Sequence, residues 1–600
     1  MQSKQKKLKM QDSETLEQAK SLFLSGLVKL NGSNFVAAEI DFQASLKLAP
    51  NRLSTLINLS IALVKLKKYG DAEKLMNEGL LHHPKNKELL MGLVEIYEKL
   101  IVLKPGYAEA HANLGNTYKE MNMLDEALAA YNTAIILNPN LAEVYSNRGN
   151  VKLDLKKYEE ALEDYEKAIA IKPDFASAYS NRGIVLRELK RLDEALTSYG
   201  LAIKFKPDYA EAYYNRGIAL SELNYLDEAL ASYDQAIQIN PNYVQVYSNR
   251  GNVLQDLNRL DEALASNDRA IEIDPNYAES NWNKSLIFLM LGELNKGWHL
   301  YSARWNIKSN SSKKFETQIP YWDGLIEGSN TKILFWAEQG VGDEIFYFGM
   351  LKNFTEINAK ITIAADIRLH NLFKRSMPEI ELIDRKKINA ECTEHSYDYQ
   401  APIGDIGLLC FVNAKLNAKR PKPFFIVNNL NINRIRTIKQ NTNNKIICGI
   451  SWKSANQTIG FSKSLDLIEL SPLLLIEGVE FVSLQYGSTK DEIDIVEKKI
   501  GKKIYTFEEL DIYNDIDGLV SLISECDFVV TASNVTAHLA GSIGKKGIVL
   551  LPFSKGKIWY WHSGEGESTW YPSLHLISQT QMNDWTEPIS KSREWILEQL

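Results

Sequence analysis

The chain has 600 residues, of which 45% are hydrophobic and 24% charged, and this composition excludes wholesale disorder, collagen and a coiled-coil rod. A total of 69 Lys and Arg against 76 Asp and Glu gives a net charge of −7, which disfavours a nucleic-acid binder. Apolar runs such as 548–553 are shorter than the roughly 18 residues that span a bilayer, and no apolar stretch follows the basic start around Lys4. We therefore expect a soluble, cytoplasmic protein of several domains, without a transmembrane segment.

The cysteines predict neither a zinc site nor a disulfide framework. Cys392, Cys410, Cys448 and Cys526 are far apart in sequence and form no C-x-x-C pair. Buried thiols in a reducing compartment are the expectation.

The first half of the chain contains an internal repeat marked by proline. The prolines are 34 residues apart except for one interval of 21, and they are Pro50, Pro84, Pro105, Pro139, Pro173, Pro207, Pro241 and Pro275. A period of 34 is the tetratricopeptide spacing, with two antiparallel helices in each unit. Gly149 and Ala161 should lie where two helices touch, with Tyr165 filling the space beside them. We predict an all-α tetratricopeptide superhelix over 1–305, irregular at 85–105, where the unit lacks about one helix.

One column of the repeat is asparagine. It consists of Asn113, Asn147, Asn181, Asn215, Asn249 and Asn283, with Asn58 at the same position of an earlier unit. Carboxamides on the first helix of each pair can bind the backbone of an extended peptide, whatever its sequence. The column resembles the asparagine ladder of the eukaryotic protein O-GlcNAc transferase, which implies a peptide or protein partner. The alternative is that asparagine is simply common at this position of such repeats.

The second half of the chain alternates strand and helix patterns. Residues 306–331 are polar and indicate a connector. Buried strands are predicted at 332–337, 361–365, 445–451, 479–485, 528–531 and 547–551. Alternating βα units imply parallel sheets, so the predicted fold class is α plus α/β. We expect two Rossmann-like lobes, 332–430 and 445–600, divided within 429–444 and facing each other as in the GT-B architecture.

The first motif follows the first predicted strand as Gly340-Val341-Gly342-Asp343. Its glycines let the backbone turn and approach a ligand, and Asp343 is placed to act as a general base on an acceptor hydroxyl. The alternative is that Asp343 only caps the following helix.

Two further motifs lie in the second lobe, after the strands 445–451 and 528–531. Ser451 and Lys453 can bind a diphosphate, although a solvated loop lysine is the alternative. The helix that starts after the second strand should offer free backbone N–H groups to an anion. The candidate residues of this site are Ser533, Asn534, Thr536, Ala537 and His538. A histidine at such a place is also typical of structural packing. Trp559, Trp561 and His562 follow a strand and either stack on a base or sugar or are surface aromatics that pack the C-terminal helix.

The order and spacing of these motifs resemble glycosyltransferase family 9, the ADP-heptose:lipopolysaccharide heptosyltransferase-like enzymes, in the group fused to tetratricopeptide repeats. The resemblance covers about 298–600 and includes WAEQGVGDE (336–344), GISWKS (449–454) and TAHLAG (536–541). It implies a GT-B fold, Asp343 as the catalytic base, and Lys453 with Thr536–His538 as donor-binding residues. Where that family has an acidic residue that helps bind the donor, this chain has Ser533 and Asn534, so a nucleotide sugar is implied but not ADP-heptose.

The resemblance implies an inverting glycosyltransferase that uses a nucleotide-diphosphate sugar as co-substrate and needs no metal or other cofactor. The acidic pair Asp515 and Asp517 imitates a metal motif, but it precedes an apolar helix and is better explained by N-terminal capping. Three functions remain open: a transferase that acts on a protein recruited by the repeats, one that builds surface polysaccharide, and a non-catalytic interaction scaffold.

Overall fold

The computed structural model describes residues 2–307, 314–324, 330–354, 357–392, 396–411, 421–428, 433–442, 445–455, 460–507, 510–554, 556–561 and 566–600. The chain divides into two compact units, 1–241 and 242–600. The repeats from 242 onward therefore belong to the same unit as the β-strands.

The first unit is built of helices joined by short turns. In its described part they are α1 Gln2–Asn31, α2 Phe35–Leu48, α3 Leu53–Lys65, α4 Tyr69–His82, α5 Lys87–Leu103, α6 Ala108–Glu120, α7 Leu124–Leu137, α8 Ala142–Asp154, α9 Tyr158–Ile171, α10 Ala176–Glu188, α11 Leu192–Phe205, α12 Ala210–Glu222 and α13 Leu226–Ile239. The turn inside a pair holds a residue in the left-handed region, such as Asn122 at φ 60° and Lys156 at φ 58°, and this lets the second helix run back along the first.

The glycine on the first helix of a repeat faces a tyrosine on the second helix. A Cβ added to Gly149 would lie 2.9 Å from the Tyr165 ring, and one added to Gly183 would lie 2.5 Å from Tyr199. Both tyrosines are fully buried. The predicted helix contact is confirmed, and so is the missing helix, because α5 stands alone between the pairs α3–α4 and α6–α7.

The second unit begins with the last repeats. Their helices are α14 Val244–Asp256, α15 Leu260–Ile273, α16 Ala278–Met290 and α17 Leu294–Leu300, followed by a 3₁₀ helix at Tyr301–Asn306. Trp298 is fully buried, and a Cβ added to Gly407 would lie 2.0 Å from its indole. Arg304 lies within hydrogen-bonding distance of Glu338 (3.0 Å) and Asp405 (2.6 Å). The end of the repeats is thus fixed to the first sheet by an aromatic contact and a buried ion-pair network.

Among the described residues, the first sheet has four parallel strands in the order β3-β2-β1-β4. They are β1 Lys332–Trp336, β2 Lys360–Ala365, β3 Glu381–Asp384 and β4 Tyr399–Pro402. Its helices are α18 Val341–Phe354, α19 His370–Ser376, α20 Ile388–Glu391 and α21 Ile406–Phe411. This sheet with its helices is called the first lobe below. Part of the predicted connector extends the sheet, since the amide of Trp322 donates to the Gln400 carbonyl at 2.9 Å.

The second sheet has seven strands among the described residues, in the order β7-β6-β5-β8-β9-β11-β10, all parallel to their neighbours except β10. They are β5 Ile446–Ser451, β6 Val479–Ser483, β7 Ile504–Tyr505, β8 Phe528–Ala532, β9 Gly547–Leu551, β10 Gly566–Glu567 and β11 Leu574–Ser578. The accompanying helices are α22 Asn433–Asn441, α23 Ser471–Leu474, α24 Lys490–Ile500, α25 Ile516–Glu525, α26 Val535–Ser542 and α27 Thr586–Leu597. This is the second lobe. The six predicted strands coincide with β1, β2, β5, β6, β8 and β9.

In both sheets the strand order reverses at the first strand of the lobe, β1 or β5. Such a switch point opens a crevice at the carboxyl ends of the strands, and there the loops after β1, β5 and β8 meet. No helix among the described residues is long and apolar enough to cross a membrane.

Candidate functional site

A cavity of about 350 Å³ lies between the two lobes at the carboxyl ends of their strands. This volume is within the usual range of a small-molecule site. Its lining combines charged, aromatic and small side chains: Gly340, Val341, Gly342, Asp343, Arg368, Arg385, Ser454, Ala455, Lys463, Tyr486, Ile512, Tyr513, Ile516, Leu519, Ser533, Asn534, Val535, His538, Ile558 and Tyr560. Of the predicted site residues, Asp343, both glycines, Ser533, Asn534 and His538 meet here.

Asp343 is the carboxylate of this cavity, in the first turn of α18. One of its oxygens accepts the Gly340 amide at 3.2 Å, so it also caps its helix. The other oxygen accepts the Tyr560 hydroxyl at 3.4 Å. Burial raises the pKa of Asp343, and the ammonium of Lys463 opposes that rise. A carboxylate held in this way is a stronger base than an exposed one.

Lys463 is a cation that the sequence analysis did not identify. It lies in a 3₁₀ turn, Phe461–Lys463, is 5% exposed, and lines the cavity. Within the described part of the chain, no group lies at hydrogen-bonding or ion-pairing distance from its ammonium. Burial lowers the pKa of Lys463, whereas Asp343 acts to raise it. A buried ammonium without a hydrogen-bond partner is costly, and an anion bound in the cavity would offset that cost.

The environment of Lys453, the residue predicted to bind the diphosphate, differs from that of Lys463. Its ammonium lies 2.6 Å from a carboxylate oxygen of Glu492, and Lys453 does not line the cavity in the described structure. Gln485 turns the chain here, because its side-chain oxygen accepts the amides of both Trp452 and Lys453. This turn directs the lysine side chain toward α24. The donor-binding role of Lys453 stays a prediction, and the geometry favours Lys463 for it.

Two arginines of the first lobe line the opposite side of the cavity. Arg368 forms paired hydrogen bonds with Asp366, at 2.8 and 3.0 Å, and its guanidinium lies 4.9 Å from the ring centre of Tyr513. Arg385 donates to the Gln339 carbonyl at 2.7 Å and pairs with the buried Glu344. These carboxylates hold the guanidiniums in place, and the cavity gains two further donors for an anion.

The other predicted donor-binding residues form the floor below the cavity. The Asn534 side chain caps α26 by accepting the Thr536 amide at 2.9 Å, and it donates to the Ser451 hydroxyl at 2.8 Å. Thr536 and Ala537 are fully buried. Asn534 therefore joins the end of β5 to the start of α26, and Ser451, Thr536 and Ala537 support this joint rather than line the cavity.

His538 connects α26 to Asp343 through tyrosines. Its Nδ1 lies 3.0 Å from the Tyr571 hydroxyl and its Nε2 lies 3.2 Å from the Tyr560 hydroxyl. Burial and the nearby Lys463 lower the pKa of His538 to about 3, so the imidazole is neutral. Since the Tyr560 hydroxyl donates to Asp343, its oxygen accepts a hydrogen bond from Nε2–H, and Nδ1 then accepts a hydrogen bond from the Tyr571 hydroxyl.

The tryptophans after β9 pack in the interior. Trp559 makes an edge contact with Trp298 at a centroid distance of 5.3 Å, and Trp561 is fully buried 5.1 Å from His538. Both tryptophans are buried, so the expectation of surface aromatics is wrong for them, whereas His562 lies outside the described residues. Asp515 caps α25 by accepting the Gly518 amide at 2.8 Å. The described residues contain no group of three acidic, histidine or cysteine side chains arranged for a metal ion.

The asparagine column makes hydrogen bonds between repeats. The Asn147 amide donates to the Asn116 side chain at 2.9 Å, and Asn181 donates to Asn150 at 2.8 Å. In the second unit, Asn283 donates to the Ser248 hydroxyl at 3.3 Å. Asn215 is buried, at 7% exposure, and is thus poorly placed to reach a peptide. The column therefore has a structural role where these bonds form, and peptide binding by the column stays a prediction.

Comparison with known protein families identifies the class of the helical repeats. Tetratricopeptide repeat profiles match residues 108–141, 149–186, 185–224, 221–258 and 244–277. The predicted tetratricopeptide repeats are therefore confirmed.

Among curated proteins, the chain is similar to Protein FlbA of Caulobacter vibrioides, with 26% identity over 321 residues. That match covers 50% of this chain and 52% of FlbA, so the chain spans about half the length of the curated relative it matches. Among solved structures, YrrB, described as a TPR protein with an unusual peptide-binding site, is 27% identical, with a TM-score of 0.28 over 31% of this chain and 96% of that one. PilF of Pseudomonas aeruginosa is 20% identical, with a TM-score of 0.30 over 34% and 90% of the two chains.

Proposed function

We propose that the protein is an inverting glycosyltransferase that transfers a sugar from a nucleotide-diphosphate donor to a hydroxyl acceptor. One observation carries the proposal: the half-buried carboxylate of Asp343 and the buried ammonium of Lys463 line the same cavity between the lobes and interact electrostatically, and no described residue hydrogen-bonds or ion-pairs the ammonium. A carboxylate and a cation on either side of a reacting centre are what glycosyl transfer from a diphosphate needs.

At the anomeric carbon the reaction forms one bond and breaks one. Asp343 accepts the proton of the acceptor hydroxyl, and the oxygen attacks the anomeric carbon from the face opposite the diphosphate. The bond between that carbon and the phosphate oxygen breaks, so the configuration inverts and the nucleoside diphosphate leaves with the electron pair. Lys463 stabilises the charge that develops on the leaving oxygen, and Arg368 and Arg385 lie on the first-lobe side of the same cavity.

The two-lobed arrangement supports a GT-B architecture. Each lobe contains a sheet of parallel strands, with the antiparallel β10 at the edge of the second, and each strand order reverses at the first strand of the lobe. The cavity is lined by the loops at both switch points. At the start of α26 the Thr536 amide donates to the Asn534 side chain at 2.9 Å and the Ala537 amide donates to the Asn534 carbonyl at 3.2 Å. Among these described residues the Val535 amide, whose residue lines the cavity, is the one left for an anion.

We propose further that the repeats recruit the acceptor and that it is a protein. Tetratricopeptide repeats occupy the N-terminal half, and this class of repeat presents extended surfaces for peptides. A transferase that builds surface polysaccharide would have the same cavity and a different acceptor.

The test is a panel of nucleotide sugars and free nucleoside diphosphates, with urea unfolding followed by tryptophan fluorescence. All 11 tryptophans lie between residues 282 and 595, so the signal reports the second unit. A donor present at a hundred times its dissociation constant should stabilise this unit by about 2.7 kcal/mol. One nucleotide stabilising the protein supports the proposal. A panel without any shift would refute it and leave a scaffold function for the repeats.

A further inference from the structure

The single helix α5 leaves a groove in the first unit. A cavity of about 620 Å³ lies beside α5, between α3 and the turn that joins α6 to α7. It occurs where the 34-residue period is broken and one helix of a pair is missing. The groove is distinct from the cavity between the lobes and does not depend on the function proposed above.

The groove has an apolar floor. Ile57 and Ile61 of α3, Met91 and Val94 of α5, and Met123 after α6 line it. Met91 is 54% exposed and Ile61 is 39% exposed. Large apolar side chains that share an exposed groove are typical of a surface that a partner covers, and methionine adapts its shape to the partner.

Carboxylates follow one side of this groove. Glu88, Glu95 and Glu98 of α5 all line it and are exposed, and within the described residues none of them has a hydrogen-bond or ion-pair partner. From the first to the last, α5 rises about 15 Å at 1.5 Å per residue. Lys87 is the basic residue of the lining, so the groove has an excess of negative charge.

We propose that this groove binds a cationic amphipathic helix of a partner protein. Its apolar face would cover Ile61 and Met91, and Lys or Arg residues at its margin would pair with Glu88, Glu95 and Glu98. The acidic row, about 15 Å long, corresponds to about three turns of helix, or roughly 10 to 14 residues. Charge complementarity selects this partner over an acidic or purely apolar helix.

The probe is a fluorescein-labelled peptide of about four helical turns, made only of Leu and Lys, with Leu at helical i, i+3 and i+4 spacing. Anisotropy is measured with the full chain, and a Leu and Glu peptide of the same pattern serves as the peptide control. The double variant Glu95→Lys/Glu98→Lys should weaken binding at least tenfold. The matched control is Glu159→Lys/Glu163→Lys on α9, which changes the net charge equally on exposed residues outside the groove and should leave the affinity unchanged.

A neutral change of the floor, Met91→Gln, should weaken binding at least threefold, and circular dichroism verifies that each variant is folded. The proposal is overturned if the Leu and Lys peptide does not bind, if the Leu and Glu peptide binds equally tightly, or if both double variants lose affinity equally.

The remaining control is sedimentation, which measures whether the chain forms a dimer. A dimer of this chain that the Glu95→Lys/Glu98→Lys change dissociates would show that a second copy occupies the groove, and this too would overturn the proposal.

Discussion

Replacing Lys463 by methionine keeps the length of the side chain and removes its charge. Burial lowers the pKa of Lys463, which means that the folded protein carries this ammonium at a cost. Lys463→Met should therefore stabilise the second unit in the absence of ligand. The gain is present at neutral pH and shrinks as the pH rises through the lowered pKa toward 10.5, since the lysine then loses its charge in the folded state first.

The same change should weaken donor binding, because the methionine cannot hydrogen-bond the diphosphate. A hydrogen bond to a charged group contributes about 1.5 to 3 kcal/mol, so the affinity should fall about ten- to a hundredfold. At the donor concentration that stabilises the wild type by about 2.7 kcal/mol, the variant should gain only about 0.4 to 1.4 kcal/mol.

Lys453→Met is the matched control for this experiment. Its ammonium pairs with Glu492 and does not line the cavity, so the donor should stabilise this variant as it does the wild type. Urea unfolding followed by tryptophan fluorescence measures all three proteins. The reasoning is refuted if Lys463→Met keeps the full donor effect, and also if Lys453→Met loses it while Lys463→Met does not.

Two further predictions concern stability. Gly183→Ala should destabilise its repeat by about 1 to 3 kcal/mol, because the new Cβ would lie 2.5 Å from the buried Tyr199 ring. Gly200→Ala should instead stabilise α11 by about 0.5 to 1 kcal/mol, because no atom lies within 4 Å of the added Cβ. Hydrogen exchange of peptides from α10 and α11 measures both, and equal effects of the two changes would contradict the packing described. Burial raises the pKa of Glu344 to about 7, so the contribution of Glu344 to stability is complete below pH 4.5 and is lost as the pH rises through 7. Glu344→Gln should therefore flatten the fall in second-unit stability between pH 4.5 and 8. An unchanged pH dependence in urea unfolding would argue against this assignment.

The repeats could be predicted from the sequence because each unit repeats the same local contacts. Gly149 and Tyr165 keep the same separation as Gly183 and Tyr199, and the period alone places each pair on facing helices. The strands that were not predicted, such as Glu381–Asp384 and Leu574–Ser578, carry charged or polar residues among their apolar ones, so the hydrophobic pattern marks them less clearly.

The candidate site was predictable where a residue lies between a strand and the first turn or two of the following helix. Asp343 lies in the first turn of α18 after β1, Asn534 caps α26 after β8, and a parallel sheet brings such helix starts together. Lys463 is well separated in sequence from the end of β5, and its burial depends on where the 3₁₀ turn Phe461–Lys463 packs in the folded chain. Lys453 follows the strand directly, but the Gln485 side chain turns its backbone toward α24, and no local pattern indicates this contact.

The measurement that tests the central claim most directly is the release of nucleoside diphosphate from the stabilising donor by the wild type and by Asp343→Asn. The asparagine keeps the size of the side chain and cannot accept the proton from an attacking hydroxyl or water. We predict that the variant binds the donor as tightly as the wild type and releases the nucleoside diphosphate at least about a hundredfold more slowly, the usual contribution of a general base. Release at the wild-type rate by the Asp343→Asn protein would contradict the assignment of Asp343 as the base.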